Sequence, residues 1–148
     1  MTKMNRQWLI AGRPTGRPLK DTDFEWVERP ARDPGPGEVQ LRTLYLGFDP
    51  ALKGWMENVG GYVAPTEIGE TMRGSGIGEV IASNDPNLKP GDRVMGQIGW
   101  QEYPTLPAKD LLKVENNEFL TTNLGVLGTT GLTAFFGLQK IGKPFAGD

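Results

Sequence analysis

The chain has 148 residues, of which 21 are glycine and 12 are proline, and its formal net charge is −2. A chain of this length is the size of one domain and buries a hydrophobic core without disulfide or metal cross-links. Because the net charge is small, nothing indicates nucleic acid or another polyanion as a partner. The spread of glycine and proline is typical of many short strands joined by tight turns.

Cysteine and histidine are both absent from the sequence. Their absence excludes disulfides, zinc or iron–sulfur sites with Cys or His ligands, and catalytic Ser–His or Cys–His pairs within the chain. No apolar run approaches the roughly 18 residues of a membrane-spanning helix. Residues 8–11 are too short for the apolar region of a signal peptide. We therefore expect a soluble, cytoplasmic protein without a membrane partner.

The predicted strands come first in the chain. Alternating or clustered apolar residues predict strands or extended segments over 6–10, 24–28, 38–46, 72–82, 93–98, 103–107 and 111–114. The strand over 38–46 is the clearest, with Val39, Leu41, Thr43 and Tyr45 on one face and Gln40, Arg42 and Leu44 on the other. The basic residues 13–20 between the first two strands are interpreted as a solvated Pro/Gly loop, not a nucleic-acid-binding arm.

From residue 119 onward the apolar spacing becomes helical, with an interruption at 128–131. Thr129 or Thr130 is predicted as the N-cap of the second helix, and Gly142 followed by Pro144 as its end. No internal repeat is present. The order of elements predicts a mainly β structure with C-terminal helices.

Three motifs have both a structural and a functional interpretation. Residues 74–78 (Gly-Ser-Gly-Ile-Gly) look like part of a dinucleotide fingerprint, but a strand follows them, so we interpret them as bending or packing positions in a barrel strand. Residues 46–55 contain Asp49, which either caps a short helical turn or lies at a cleft edge with Lys53 and Trp55. Residues 128–134 are either a plain helix cap or a set of donors for a polar ligand.

Taken together, the motifs resemble those of zinc-independent medium-chain dehydrogenases/reductases, in the branch of leukotriene B4 12-hydroxydehydrogenase, prostaglandin reductase and alkenal double-bond reductase. The segments that carry the resemblance are 36–39, 45–50, 72–80, 90–94, 99–100 and 124–138. They occur in the family's order and cover nearly the whole chain, and the lack of Cys and His agrees with a branch that uses no zinc. The resemblance implies a GroES-like, partly open β-barrel over 1–120 and a helical connection over 121–148, with no Rossmann domain in this chain.

The resemblance also implies an activity, which is hydride transfer from NADPH to an α,β-unsaturated ketone or aldehyde. It places Thr129, Thr130 and Thr133 near the nicotinamide, and Asp49, Ala51 and Lys53 on the substrate side. The family commonly has Tyr where this chain has Ala51, and Met-Pro where it has Thr129-Thr130. The identity of the family's substrates therefore cannot be carried over to this chain. The family's catalytic Tyr and its phosphate-binding residues are expected after Asp148, and the catalytic residues are therefore unknown.

In the family, Gly-Asp at the position of residues 147–148 opens the first strand of the Rossmann domain. We therefore expect the isolated chain not to reduce enones, to bind NADPH weakly at best, and to need the missing Rossmann domain as a partner. A GroES-like binding or assembly module without catalysis, including a homodimer, and a fragment of a longer protein are the alternatives left open.

Overall fold

The computed structural model describes residues 3–60, 63–145 and 147, and its β-strands are all paired antiparallel. The first two strands, β1 (Met4–Ile10) and β2 (Phe24–Pro30), pair along their whole length, with Trp8 opposite Trp26. The two indole rings meet edge to face, with centroids 4.8 Å apart. Such a cross-strand aromatic pair stabilises the pairing of the two strands.

A second sheet contains five strands in the order β6-β3-β4-β5-β7. Its strands are β3 (Glu38–Leu46), β4 (Ser75–Ser83), β5 (Arg93–Gln97), β6 (Thr105–Pro107) and β7 (Leu112–Val114). The main core lies against this sheet and consists of Val39, Leu41, Val80, Leu88, Val94, Ile98 and Ala108. The seven strands β1 to β7 correspond to the seven segments predicted from the sequence, with ends that differ by a few residues.

The two sheets are joined through β1 and residues 100–104. The Glu102 N–H donates to the Arg6 carbonyl of β1 (3.0 Å), and the Glu102 carbonyl accepts from the Thr43 N–H of β3 (2.8 Å). The Trp8 N–H also donates to the Trp100 carbonyl, while the Trp8 carbonyl accepts from the Met72 N–H. These separate backbone hydrogen bonds, and not a continuous strand-to-strand ladder, connect the two sheets. The predicted partly open barrel is confirmed.

The alternation predicted along β3 holds only in part. Val39 and Leu41 are fully buried, but Gln40 between them is buried as well, and Tyr45 is 47% exposed. The register against β4 shifts between Gln40 and Leu41 and again between Thr43 and Tyr45. Each shift changes the face to which the following side chains point. The buried Gln40 amide is satisfied, because its Nε2 donates to the Arg32 carbonyl at 2.9 Å.

Residues 74–78 belong to β4 and the approach to it, and no helix follows them. A Cβ on Gly76 would lie 2.6 Å from both Ile98 Cδ1 and the Tyr45 carbonyl oxygen, and a Cβ on Gly74 would lie 2.9 Å from Trp100 Nε1. The glycines therefore allow close packing inside the barrel. The interpretation of this segment as part of a barrel strand is confirmed.

Within the described residues, two α-helices accompany the sheets, α1 (Ala51–Glu57) and α2 (Thr129–Phe136). A π-helical turn over Gly137–Gly142 continues α2, and Lys143 after it has a left-handed backbone, so the predicted end at Gly142 is confirmed. In the part of the chain that the structure describes, no helix is long and apolar enough to cross a membrane. The boundary between 1–120 and 121–148 stays a prediction, and Asp148, expected to open a strand, lies outside the described residues.

The C-terminal helical segment contributes little to the core. None of the α2 side chains is buried. The exposed apolar side chains along α2 and the π-helical turn are Leu132, Phe135, Phe136, Leu138 and Ile141. We call these residues the apolar helix surface.

The basic segment 13–20 is a loop with most of its residues exposed, as predicted, and its arginines hold it against the rest of the fold. The two Arg17 Nη atoms donate to the two carboxylate oxygens of Asp23, at 2.9 and 2.5 Å. Asp23 is buried, and its Oδ2 also accepts the Lys20 N–H at 2.8 Å. The Arg17 guanidinium and this backbone N–H lower the pKa of Asp23 to about 2.

Asp23→Asn is expected to remove part of the acid sensitivity of the fold. A carboxyl group with an unfolded pKa of about 3.9 and a folded pKa of about 2 stabilises the folded state when it is ionised. That stabilisation is complete above the unfolded pKa and is lost as the pH falls through the folded pKa, because the unfolded chain then binds more protons. Urea unfolding across this pH range should show a steeper fall in the free energy of unfolding for the wild type than for the variant. Asp21→Asn, at an exposed neighbour, is the control, and equal slopes for wild type and Asp23→Asn would contradict the assignment.

Candidate functional site

The turn between β3 and α1 places Asp49 at the start of the helix. Its Oδ1 accepts a hydrogen bond from the Ala51 N–H (2.8 Å), and its carbonyl accepts one from the Leu52 N–H (3.0 Å). The carboxylate thus satisfies an N–H group at the helix start, which was one of the two interpretations of this motif. Asp49 is exposed, and its Oδ2 has no partner within the described residues.

The two faces of α1 line different cavities. One cavity, of about 220 Å³, is lined by Ala51, Gly54, Trp55, Asn58, Val59, Gly60, Val63 and Pro65. Lys53 lines another cavity together with Asp49. Successive helical residues are turned by about 100° around the axis, so Ala51 and Lys53 point in nearly opposite directions. Of the three predicted substrate-side residues, the structure brings Asp49 and Lys53 together and places Ala51 on the other side.

The cavity that holds Asp49 and Lys53 has a volume of about 310 Å³ and is called the aromatic cavity here. It is lined by Leu19, Phe24, Phe48, Asp49, Pro50, Leu52, Lys53, Met56, Met72 and Trp100. Phe24 stacks on Trp100 with a centroid distance of 5.5 Å, and the Phe48 ring meets Trp100 at 5.2 Å. The Lys53 ammonium forms an ion pair with Glu57 one turn along α1. The result is an apolar space with the Asp49 carboxylate and the Lys53–Glu57 ion pair at its rim.

The C-terminal end of α1 is fixed by the basic segment. Arg13 Nη1 donates to the carbonyls of Met56 and Thr66, both at 2.9 Å. Thr15 Oγ1 donates to the Glu57 carbonyl, also at 2.9 Å. These bonds satisfy carbonyls that a helix leaves open at its end. Arg13 and Thr15 therefore position the helix that separates the two cavities.

A small cleft of about 100 Å³ brings Asp49 to the start of α2. The cleft is lined by Gly47, Phe48, Asp49, Ser75, Met95, Asn123, Leu124, Thr129 and Thr130. Phe48 and Asp49 line both the cleft and the aromatic cavity, so the two spaces are neighbours. Two predicted cofactor residues, Thr129 and Thr130, thus lie in the same cleft as one predicted substrate residue, Asp49.

Neither threonine is the N-cap of α2. The N-cap is Gly128, and no side chain caps the helix, so the sequence-based N-cap prediction is wrong. A Cβ at position 128 would lie 2.2 Å from the Asn123 carbonyl oxygen, which explains why glycine occupies the cap. The N–H groups of Thr129 and Thr130 have no acceptor among the described residues. Such free N–H groups at a helix start are available to a ligand acceptor.

Thr133, the third predicted cofactor residue, lies one turn further along α2. Its Oγ1 donates to the Thr129 carbonyl at 2.7 Å, a local bond common for helical threonine. Thr133 is exposed and does not line the cleft. Its position beside a nicotinamide stays a prediction.

The arrangement combines hydrogen-bond donors with an adjoining apolar space. The sequence interpretation gave no role to Phe48, Trp100 or Ser75, although Phe48 and Trp100 lie inside the family motifs at 45–50 and 99–100. Their positions in these motifs were thus the feature of the sequence that could have indicated a role in the site for both aromatic residues. Over the described ranges, no group of three or more potential ligand side chains could hold a metal ion. The hydrogen-bond donors of the cleft and the adjoining apolar cavity are together suited to orienting an organic molecule.

A family described as the N-terminal domain of oxidoreductase matches residues 6–114. The chain belongs to this family. The match begins within β1, extends to the end of β7 and includes α1. The resemblance to zinc-independent medium-chain reductases, inferred from the motifs, is confirmed for this N-terminal part.

Two curated relatives are NADP-dependent by name. The NADPH-dependent curcumin reductase of Escherichia coli (strain K12) is 40% identical over 145 residues, which are 97% of this chain and 42% of the relative. The 2-alkenal reductase (NADP(+)-dependent) of Nicotiana tabacum is 33% identical over 149 residues, covering 97% of this chain and 43% of the relative. The chain therefore spans less than half the length of these relatives.

The fold is similar to that of a solved structure. CurA from Vibrio vulnificus, in complex with NADPH, superposes with a TM-score of 0.88 and 34% identity. The superposition covers 97% of this chain and 42% of the CurA chain. The predicted fold, a GroES-like barrel followed by helices, is thereby confirmed.

Proposed function

We propose that this chain is the N-terminal catalytic-domain part of an NADPH-dependent reductase of the C=C bond of α,β-unsaturated ketones and aldehydes. The observation that carries the proposal is the cleft in which Asp49 lies beside Thr129 and Thr130. The names of the two relatives and the NADPH complex of CurA support the same cofactor and reaction class.

The donors at the start of α2 fit the nicotinamide end of NADPH. The unpaired N–H groups of Thr129 and Thr130 can donate to a carboxamide oxygen, and the two hydroxyls can donate or accept. We propose that these residues, with Thr133 one turn further along, hold the nicotinamide. We propose that Asp49 and Lys53 border the substrate on the α1 side. Ala51 lies on the opposite face of the helix, and its small side chain leaves space in the cavity on that face.

When bound, NADPH supplies the hydride that adds to the β-carbon of the substrate. The chain's own task is to hold the double bond in the cleft and to exclude water from it. Hydrogen-bond donors directed at the carbonyl oxygen lower the energy of the enolate that develops there. The hydroxyls of Thr129 and Thr130 lie in the cleft and can also serve this purpose.

The phosphates and adenine of NADPH require a further domain. A phosphate-binding glycine loop precedes a helix, whereas residues 74–78 lie at the start of strand β4. The apolar helix surface, defined above, offers a docking face for a Rossmann domain, because exposed apolar patches mark interaction sites. We propose that this surface and the cleft together receive the nucleotide-binding domain.

The isolated chain of 148 residues is expected not to reduce enones and to bind NADPH weakly at best. The reason is that most of the cofactor's contacts would come from the Rossmann domain. Calorimetric titration with NADPH checks the affinity, and submicromolar binding would overturn the expectation. A chimaera that joins residues 1–145 to the nucleotide-binding part of the Escherichia coli curcumin reductase should consume NADPH with an enone substrate. A folded chimaera that binds NADPH and reduces no enone would count against the proposed reaction.

The alternative function is a GroES-like binding or assembly module without catalysis, including a homodimer. The apolar helix surface favours it, because a second copy can cover the same residues. Self-association of the chain that NADPH does not change, measured by analytical ultracentrifugation, together with an inactive chimaera, would favour this alternative. The cytoplasmic location expected from the sequence stays a prediction.

A further inference from the structure

Phe48 stands between the cleft and the aromatic cavity. It lies in the turn between β3 and α1, and its side chain lines both spaces. Phe48 is 77% exposed. Its ring packs against the Trp100 ring of the aromatic cavity, with the two centroids 5.2 Å apart. A molecule that extends from the cleft into the aromatic cavity therefore passes along Phe48 and Asp49.

The aromatic cavity has the size and the walls that a flat ring requires. Its volume is about 310 Å³, whereas an apolar cavity of roughly 150 Å³ is enough for benzene. Phe24 and Trp100 stack on each other and together form an aromatic wall of the cavity, against which a further ring can pack. Met56 and Met72, each 1% exposed, add adaptable apolar walls.

The charges at the rim favour a neutral group. The Lys53 ammonium is paired with Glu57, which offsets its positive charge. The Asp49 carboxylate lies on the same rim and repels a second negative charge. The cavity therefore suits an uncharged aromatic substituent better than a carboxylate.

We propose that Phe48 is a specificity-determining residue, the wall against which a neutral aromatic substituent of the substrate packs in the aromatic cavity. The reacting double bond then lies next door, in the cleft with Thr129 and Thr130. The inference rests on the proposed function of that cleft and adds a second subsite to it.

The test is a nuclear magnetic resonance titration of the chain with two ketones. Benzylideneacetone carries a phenyl ring on its enone, and ethylideneacetone carries a methyl group at the same position. Benzylideneacetone should shift the Trp100 indole N–H and the Met56 and Met72 methyl resonances, and ethylideneacetone should not. Phe48→Ala should weaken binding of benzylideneacetone roughly twofold to tenfold, the range expected for one aromatic pair. The same variant should leave ethylideneacetone binding unchanged.

Two further variants make the result specific to the ring of Phe48. Phe48→Trp keeps an aromatic wall and should retain the preference for benzylideneacetone. Phe119→Ala removes another exposed phenylalanine (59%) that lines neither space, and it should behave as the wild type. Unshifted Trp100, Met56 and Met72 resonances, or equal binding by wild type and Phe48→Ala, would overturn the proposal.

The amide resonances of Thr129 and Thr130 report on the cleft separately. If benzylideneacetone shifts these amides and leaves Met56, Met72 and Trp100 unmoved, the aromatic subsite is wrong and the proposed function stands. If the cavity residues shift, Phe48→Ala weakens binding and the threonine amides do not move, the cavity binds a ring as proposed. The role of the cleft in the proposed function is then wrong.

Discussion

Replacing Gly131 by alanine is expected to displace the start of α2 from the cleft. A Cβ at this position would lie 1.7 Å from the carbonyl oxygen of Val126 and 2.4 Å from its carbon. These are backbone atoms of the turn that precedes the helix, and the Gly131 N–H closes this turn by donating to Gly125 (3.2 Å). The turn must open to admit the methyl group, at a local cost of about 3 kcal/mol.

The effect of Gly131→Ala should be confined to the C-terminal segment, because α2 has no buried residue. The Thr129 and Thr130 amide resonances should move or broaden, and limited proteolysis should cut the segment faster. The thermal midpoint of the barrel should change little. Gly137→Ala is the matched control, since a Cβ there meets nothing within 4 Å and the backbone is already helical. Unchanged threonine resonances in Gly131→Ala would show that the turn is not as tight as described.

Gly76→Ala is expected to destabilise the whole barrel. The added Cβ would lie 2.6 Å from Ile98 Cδ1 and 2.6 Å from the Tyr45 carbonyl oxygen. Ile98 is fully buried and Tyr45 belongs to the neighbouring strand, so neither can retreat without disturbing the core or the β3–β4 pairing. Overpacking of this kind costs about 3 kcal/mol, which lowers Tm by roughly 6 to 12 °C in a domain of this size.

Thermal and urea unfolding followed by circular dichroism measure this loss. Gly54→Ala is the control for the barrel, because a Cβ at this position in α1 meets nothing within 4 Å. Alanine there should leave stability equal or raise it by about 0.5–1 kcal/mol, since glycine is unfavourable inside a helix. If Gly76→Ala unfolds at the same temperature as the wild type, the close contact between β3, β4 and Ile98 is not present in solution. Gly76 and Gly131 together separate the stability of the barrel from the geometry of the cleft.

The strands were predictable because apolar and polar residues alternate along a half-buried strand and turn residues mark its ends. The prediction failed in detail where a tertiary feature intervened. The register shifts in β3 bury Gln40 and expose Tyr45, and no local pattern indicates a bulge of this kind. The basic segment is the exposed loop that was predicted, but the sequence did not indicate its partners. Arg17 binds Asp23 and Arg13 binds the Met56 carbonyl, and these groups meet only in the folded chain.

The start of α2 shows why a cap is hard to place from sequence. Threonine is a favourable N-cap, and the preference predicts Thr129 or Thr130 for this position. Gly128 takes the position because the preceding turn leaves no space for a Cβ there. This position of the cap also affects the site, because both threonine N–H groups are left without an acceptor in the described part of the chain.

The sequence by itself determined the mainly β fold, the absence of Cys and His chemistry, and the family, because these follow from composition, local periodicity and the order of motifs. Only the tertiary structure decided which candidate residues meet. Asp49 and Thr130 share a cleft, Lys53 lines the aromatic cavity, and Ala51 lies on the opposite face of α1. Contacts between distant segments depend on strand order, helix phase and packing, and none of these can be taken from a local stretch of sequence.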